Sequence, residues 1–107
     1  MKQRRVVVTG MGALTPLGNT VNDFWKNLIA GKSGAAPITR FDTTKFKTKF
    51  ACELKGFDPL NYFDKTEVKK MDPFSQYAMA ATAEAIQDAA LDLDTIDKTR
   101  VGVIWGS

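Results

Sequence analysis

Arg4-Arg5-Val6-Val7-Val8-Thr9-Gly10-Met11-Gly12 sets three consecutive valines ahead of a pair of glycines. A strand with one wet face alternates apolar and polar residues. A strand covered by helices on both faces does not. Residues 4–9 are therefore expected to form a parallel core strand, with Gly10 opening a turn. Residues 99–105, whose Val101-Gly102-Val103-Ile104-Trp105 leads into Gly106-Ser107, have the same form and are expected to be the second buried strand. Two such strands joined through helical sequence indicate an α/β architecture. Both need lateral sheet partners, so residues 1–107 are expected to be an incomplete, opening part of a larger fold.

Between the two strands lies clear helical punctuation. Val21, Phe24, Trp25, Leu28 and Ile29 recur at i, i+3, i+4, i+7 and i+8, one apolar stripe. Thr20, with Asp23 three residues later, resembles a capping box, and Gly31 suits the residue that closes a helix. Asp72-Pro73 starts a second long helix, expected to reach about Leu91. Its alanines (78, 80, 81, 83, 85, 89 and 90) leave little bulk, which predicts close neighbours and deep burial.

Residues 32–71 form an excursion between these helices. Such length is unusual for a simple connection and points to function or an interface. Within it, Phe46, Thr48, Phe50, Cys52 and Leu54 alternate with Lys45, Lys47, Lys49, Ala51, Glu53 and Lys55. That pattern predicts a half-exposed strand at an edge or in a hairpin. Asp58-Pro59 and Asp64 each begin a short helical turn, reaching Tyr62 and Met71 respectively.

Composition narrows the chemistry. The chain has no histidine and one cysteine, so it cannot form an internal disulfide. It cannot assemble a Ser-His-Asp or Cys-His centre alone, and a zinc site of nitrogen and sulfur ligands is not expected. No apolar run approaches the roughly 20 residues that span a bilayer. The apolar stretch after the basic residues 1–5 is too short for a secretory signal. A cytoplasmic protein without metal or cofactor is expected.

Gly10-x-Gly12 after a strand invites comparison with the dinucleotide-binding fingerprint. Its third glycine would fall on Thr15, and the helix begins eight residues beyond Gly12 rather than at the loop. A glycine turn after a core strand is the preferred reading. Cys52 lies on the apolar face of its strand with no base nearby, as a buried structural thiol would. The net charge of +3 resides in residues 45–70, where seven lysines meet four acids. Lys65 and Lys69 share a helical face with Lys70 beside them. They form either a solvated turn or a dock for an acidic partner. Nucleic acid is not expected, because Phe46 and Phe50 face away from the lysines. Gly106-Ser107 stands at the carboxyl edge of its strand, where open α/β sheets bind ligands, or forms a plain turn.

Taken in order, residues 6–12, Thr15-Pro16-Leu17-Gly18-Asn19, Phe24-Trp25, Gly31-Lys32-Ser33-Gly34, Phe41-Asp42, Lys69-Lys70-Met71-Asp72-Pro73-Phe74 and Gly106-Ser107 resemble the amino-terminal region of the β-ketoacyl-(acyl-carrier-protein) synthases. The synthase II branch is the most similar. The resemblance implies a thiolase-like layered fold, of which this chain would open the first half-domain, its alanine-rich helix buried between layers. It implies a fatty acid condensing enzyme that is a homodimer when intact, acts on acyl carrier protein, and involves no nucleic acid and no membrane. An acyl chain passes to a cysteine thiolate. Malonyl-carrier protein loses carbon dioxide, and the carbanion attacks the acyl thioester, assisted by two histidines and an oxyanion hole. The family's nucleophile and histidines would lie beyond Ser107, and Cys52 is not at the nucleophile's position. No catalytic residue is therefore expected in this chain. The positions matching the family's carrier dock are Lys65, Lys69 and Lys70, with Thr66 departing where a basic residue is common. Gly106 and Ser107 would lead to the loop beside the acyl pocket. Two alternatives stay open on sequence alone: a stand-alone carrier-binding or protein-interaction module, and a nucleotide-binding domain.

Overall fold

The computed structural model describes residues 1–106. Its elements run α1 (Val21–Ile29), β1 (Ala36–Pro37), β2 (Phe50–Ala51), a 3-10 turn (Pro59–Asn61), α2 (Lys65–Lys70), α3 (Pro73–Asp88) and a second 3-10 turn (Lys98–Arg100).

Local signals set the helix ends. The Thr20 hydroxyl accepts from the Asp23 N–H at 3.1 Å and starts α1. Gly31, at φ +70°, closes it: the Gly31 N–H donates to Leu28 and the Lys32 N–H to Asn27. α3 starts with Pro73 as expected, although Asp72 makes no side-chain capping bond. It stops at Asp88, short of Leu91. The Leu91 N–H reaches the Ile86 carbonyl at 3.2 Å and the Ala90 N–H reaches Gln87 at 3.0 Å. This closure is usually built on glycine, but here Ala90 takes it at φ 48°. An alanine in the left-handed region carries strain that glycine lacks. Ala90→Gly is therefore expected to stabilise the protein by about 1 kcal/mol, read by urea denaturation. A loss of stability would refute the strain.

α3 organises the rest. Gly10 and Gly12 pass directly over it: a Cβ at Gly10 would lie 2.4 Å from the Ala85 oxygen, and one at Gly12 would lie 1.9 Å from the Ala81 oxygen. Ala81, Ala85 and Ala89 recur every four residues, so the loop crosses one row of the helix. Two acids from α3 secure it. Asp88 accepts from the Met11 N–H at 2.9 Å. Glu84 accepts from the Ala13 N–H at 2.9 Å and the Val21 N–H at 2.8 Å, so it also caps the start of α1.

Three expectations need correction. Residues 4–9 and 99–105 form no ladder; β1 and β2 make the only sheet among the described residues. A strand holds its shape through partners on either side, and the described residues supply none. Val6 is accordingly 89% exposed and Ile104 99%. Second, α3 buries Gln76, Ala78, Ala80 and Ala81, yet Met79 is 53% exposed, so the helix is covered on part of its surface and not all round. Third, Cys52 is exposed, not buried. The alternation in residues 45–55 is real, but only Phe50–Ala51 pairs, antiparallel to Ala36–Pro37, and its phenylalanine face looks outward.

The consequence is an open molecule. Its radius of gyration is 17.3 Å, where a compact domain of 100 residues has roughly 13 Å. It exposes 9084 Å², where a compact protein of its mass exposes roughly 5900 Å².

The β1–β2 ribbon carries one pH-sensitive contact. The Thr39 hydroxyl donates to Glu53 Oε2 at 2.8 Å and holds that carboxyl below its ordinary 4.5, with the Thr39 N–H assisting. A carboxyl depressed in the native state adds stability above its unfolded pKa and loses it as pH falls through the native value. The stability difference between the protein and Glu53→Gln should therefore be present at about pH 6 and shrink toward about pH 3. A difference that is constant with pH would remove the contact from the account.

Candidate functional site

The basic turn is built by its own sequence. Asp64 Oδ1 accepts from the N–H groups of Thr66 and Glu67, each at 2.8 Å, while Glu67 Oε2 accepts from the Asp64 N–H at 3.3 Å. This reciprocal box nucleates α2 in six residues. It also occupies both acids at the amino end. Lys69 and Lys70 lie in the last turn, where the helix dipole favours cations. Lys65 sits between the two acids at the amino end, while the Lys69–Lys70 end presents net positive charge.

Lys65, Lys69 and Lys70 are all exposed. They do not form one cluster. Lys65 and Lys69 stand four residues apart on one face. Lys70 is turned toward a shallow depression lined also by Phe63, Glu67, Met71 and Met79. A charged rim beside the exposed Met79 and the half-buried Phe63 and Met71 is chemistry suited to a protein-binding surface.

Sequence reasoning missed what holds this turn in place. Gln76, on α3, is only 8% exposed. Its Nε2 donates to the Val68 and Met71 carbonyls, both at 3.3 Å, at the carboxyl end of α2. Next to it, the Tyr77 ring packs edge-on against Phe57 with centroids 5.2 Å apart, and Phe57 stacks on Tyr62 at 5.5 Å. Arg40 donates to the Tyr77 hydroxyl at 2.7 Å. One turn of α3 therefore anchors both α2 and the excursion. The only hint in the sequence was a glutamine placed just ahead of a run of alanines.

Lys55 also has a different role from the one its place in the alternation suggests. Its ammonium donates to the carbonyls of Gly34 at 2.8 Å, Pro16 at 3.2 Å and Glu53 at 3.3 Å. It ties the Thr15–Gly18 turn to the ribbon and leaves the charged surface to the other lysines. Cys52 has no histidine to activate it. Among the described residues, no group of three or more acids and cysteines is placed to hold a metal ion. No helix among them is long and apolar enough to cross a membrane. Gly106 is exposed, and Ser107 lies outside the described residues.

Residues 3–107 match the family described as "Beta-ketoacyl synthase, N-terminal domain". The chain belongs to the β-ketoacyl synthase family. Its β-ketoacyl synthase relatives include the "3-oxoacyl-[acyl-carrier-protein] synthase 2" of Vibrio cholerae, 50% identical over 107 residues, and that of Coxiella burnetii, 47% identical over the same length. Each match takes in 100% of this chain and 26% of the relative, so the chain spans about a quarter of the proteins it resembles. Among solved structures, "The ishigamide ketosynthase/chain length factor" superposes with a TM-score of 0.79 at 42% identity, covering 87% of this chain and 23% of that one. The fold of the chain is thus of the ketosynthase type.

Proposed function

We propose that the full-length protein carrying this chain is a β-ketoacyl-(acyl-carrier-protein) synthase of fatty acid elongation, and that this chain is the opening part of the first half of its thiolase-like fold. The observation that carries the reading is identity of up to 50% with 3-oxoacyl-(acyl-carrier-protein) synthases along all 107 residues. The exposed valines of residues 6–8 and 101–103 support it, because they are strand-forming apolar runs without partners. The excess of roughly 3200 Å² of exposed surface is of the size that obligate interfaces bury. It favours a part of a larger body over a stand-alone module.

The reaction joins an acyl thioester and a malonyl thioester. The acyl group moves to a cysteine thiolate and frees the carrier thiol. The malonyl group loses carbon dioxide, its carbanion attacks the acyl carbonyl, and the thiolate leaves, giving a 3-oxoacyl thioester. The residues of this chain do not take part in bond making. Their role is to receive the carrier: Lys65 and Lys69 on the outer face of α2 and Lys70 at the edge of the apolar depression attract an acidic partner. Gly106 and Ser107 would lead toward the acyl pocket. The intact enzyme would be a cytoplasmic homodimer.

Purified full-length protein, given acyl- and malonyl-carrier protein, is expected to release one carbon dioxide per 3-oxoacyl thioester formed. Decarboxylation without condensation, or no turnover, would contradict the assignment.

A further inference from the structure

Gln76 is the one buried polar side chain of α3, and both of its observed donations go to a different helix. Val68 lies in the last turn of α2 and Met71 is its C-cap; the Val68 carbonyl also accepts from the Met71 N–H, but only at 3.4 Å, and the carbonyls of a helix end have few partners of their own. α2 has only six residues, too few to hold a direction by propensity. Its amino end is fixed internally by the Asp64–Glu67 box. Its carboxyl end, from which Lys69 and Lys70 project, is tied to α3 through the Gln76 carboxamide. Lys69 and Lys70 immediately follow one of the residues that Gln76 holds, and immediately precede the other.

We infer that Gln76 is a positioning residue for carrier recognition: its carboxamide sets the direction in which the lysine end of α2 presents its charge. The inference rests on the docking role proposed for that turn. Gln76 touches no substrate. It acts through the Val68 and Met71 carbonyls, and the substrate property it governs is affinity for the protein carrier rather than for the acyl group.

The test uses the full-length enzyme and compares KM for an acyl-carrier-protein substrate with KM for the same acyl group on a small thiol. Gln76→Met keeps the length of the side chain and removes both donors. It is expected to raise the ratio of the two KM values about threefold to tenfold. Gln76→Asn, shorter but still a donor, should give an intermediate ratio and covers the case in which the methionine variant folds poorly. In the Gln76→Met background, Lys69→Glu should raise the carrier KM by a smaller factor than in the parent, because the lysine is no longer held in register. Equal rises for carrier and small-thiol substrates, or an equal Lys69→Glu factor in both backgrounds, would overturn the positioning role while leaving the dock intact. If Lys69→Glu has no effect in the parent enzyme, the docking role itself fails.

Discussion

Replacing Gly12 with alanine is expected to lower the melting temperature by about 10 °C and to cut soluble yield. The new methyl carbon would sit 1.9 Å from the Ala81 oxygen, 2.9 Å from the Ala81 carbonyl carbon and 3.0 Å from the Ala85 nitrogen. All three are backbone atoms of α3, inside a hydrogen-bonded helix, so no side chain can swing aside. Either the loop must lift or α3 must shift. Lifting the loop breaks the Met11 bond to Asp88 and the Ala13 bond to Glu84. Hydrogen bonds to charged acceptors contribute about 1.5–3 kcal/mol each, and overpacking alone costs about 1–3 kcal/mol. The cheaper of these two courses costs about 3 kcal/mol, a large share of the roughly 5–15 kcal/mol that holds a domain folded. Gly10→Ala should follow the same course, since its added carbon meets the Ala85 oxygen at 2.4 Å and the Ala89 nitrogen at 2.5 Å. A melting point unchanged in Gly12→Ala would mean that the loop does not ride on α3.

Charge reversal at Lys69 is the second large effect. In the full-length enzyme, Lys69→Glu is expected to raise KM for the carrier-protein substrate about tenfold at low salt, with KM rather than kcat carrying the change. The reversal puts a carboxylate at the end of α2 that already carries the negative pole of the helix dipole. It also removes one of the two lysines on the outer face. The effect should diminish as salt rises, because screening shortens from about 10 Å at 0.1 M to about 3 Å at 1 M. Lys55→Glu provides the contrast. Lys55 spends its ammonium on three backbone carbonyls, so its reversal should lower stability more than it alters salt-dependent binding. If Lys69→Glu leaves the low-salt KM unchanged, the basic turn is a solvated surface and the dock lies elsewhere.

What could be read from the sequence was local. Thr20, Gly31, Asp58, Asp64 and Pro73 each act within four residues of themselves, and each sits where expected, whereas the answering Glu67 of the Asp64 box was not singled out. The end of α3 was not legible, because Ala90 does the work of a glycine. Residues 4–9 and 99–105 read as strands from composition, but a ladder is a property of pairs, and the described residues hold no second member for either. Cys52 and Phe50 lie on the apolar side of an alternating segment. That pattern says which residues share a face and not what covers it. The basic turn proposed as the carrier dock was legible as exposed lysines at positions 65, 69 and 70. Gln76, which ties that turn to α3, and Glu84 and Lys55, which fix the loop between Gly10 and Val21, were not, since their longest bonds span 8, 71 and 39 positions of chain.

The proposed function is a division of labour: the residues of this chain receive the carrier, and bond making takes place on residues outside it. It is tested most directly by assaying residues 1–107 alone beside the full-length protein, following carbon dioxide release and 3-oxoacyl thioester formation. The account predicts turnover by the full-length protein and none by residues 1–107. Condensation by the isolated chain, which has no imidazole and only an exposed Cys52 for a thiol, would contradict it.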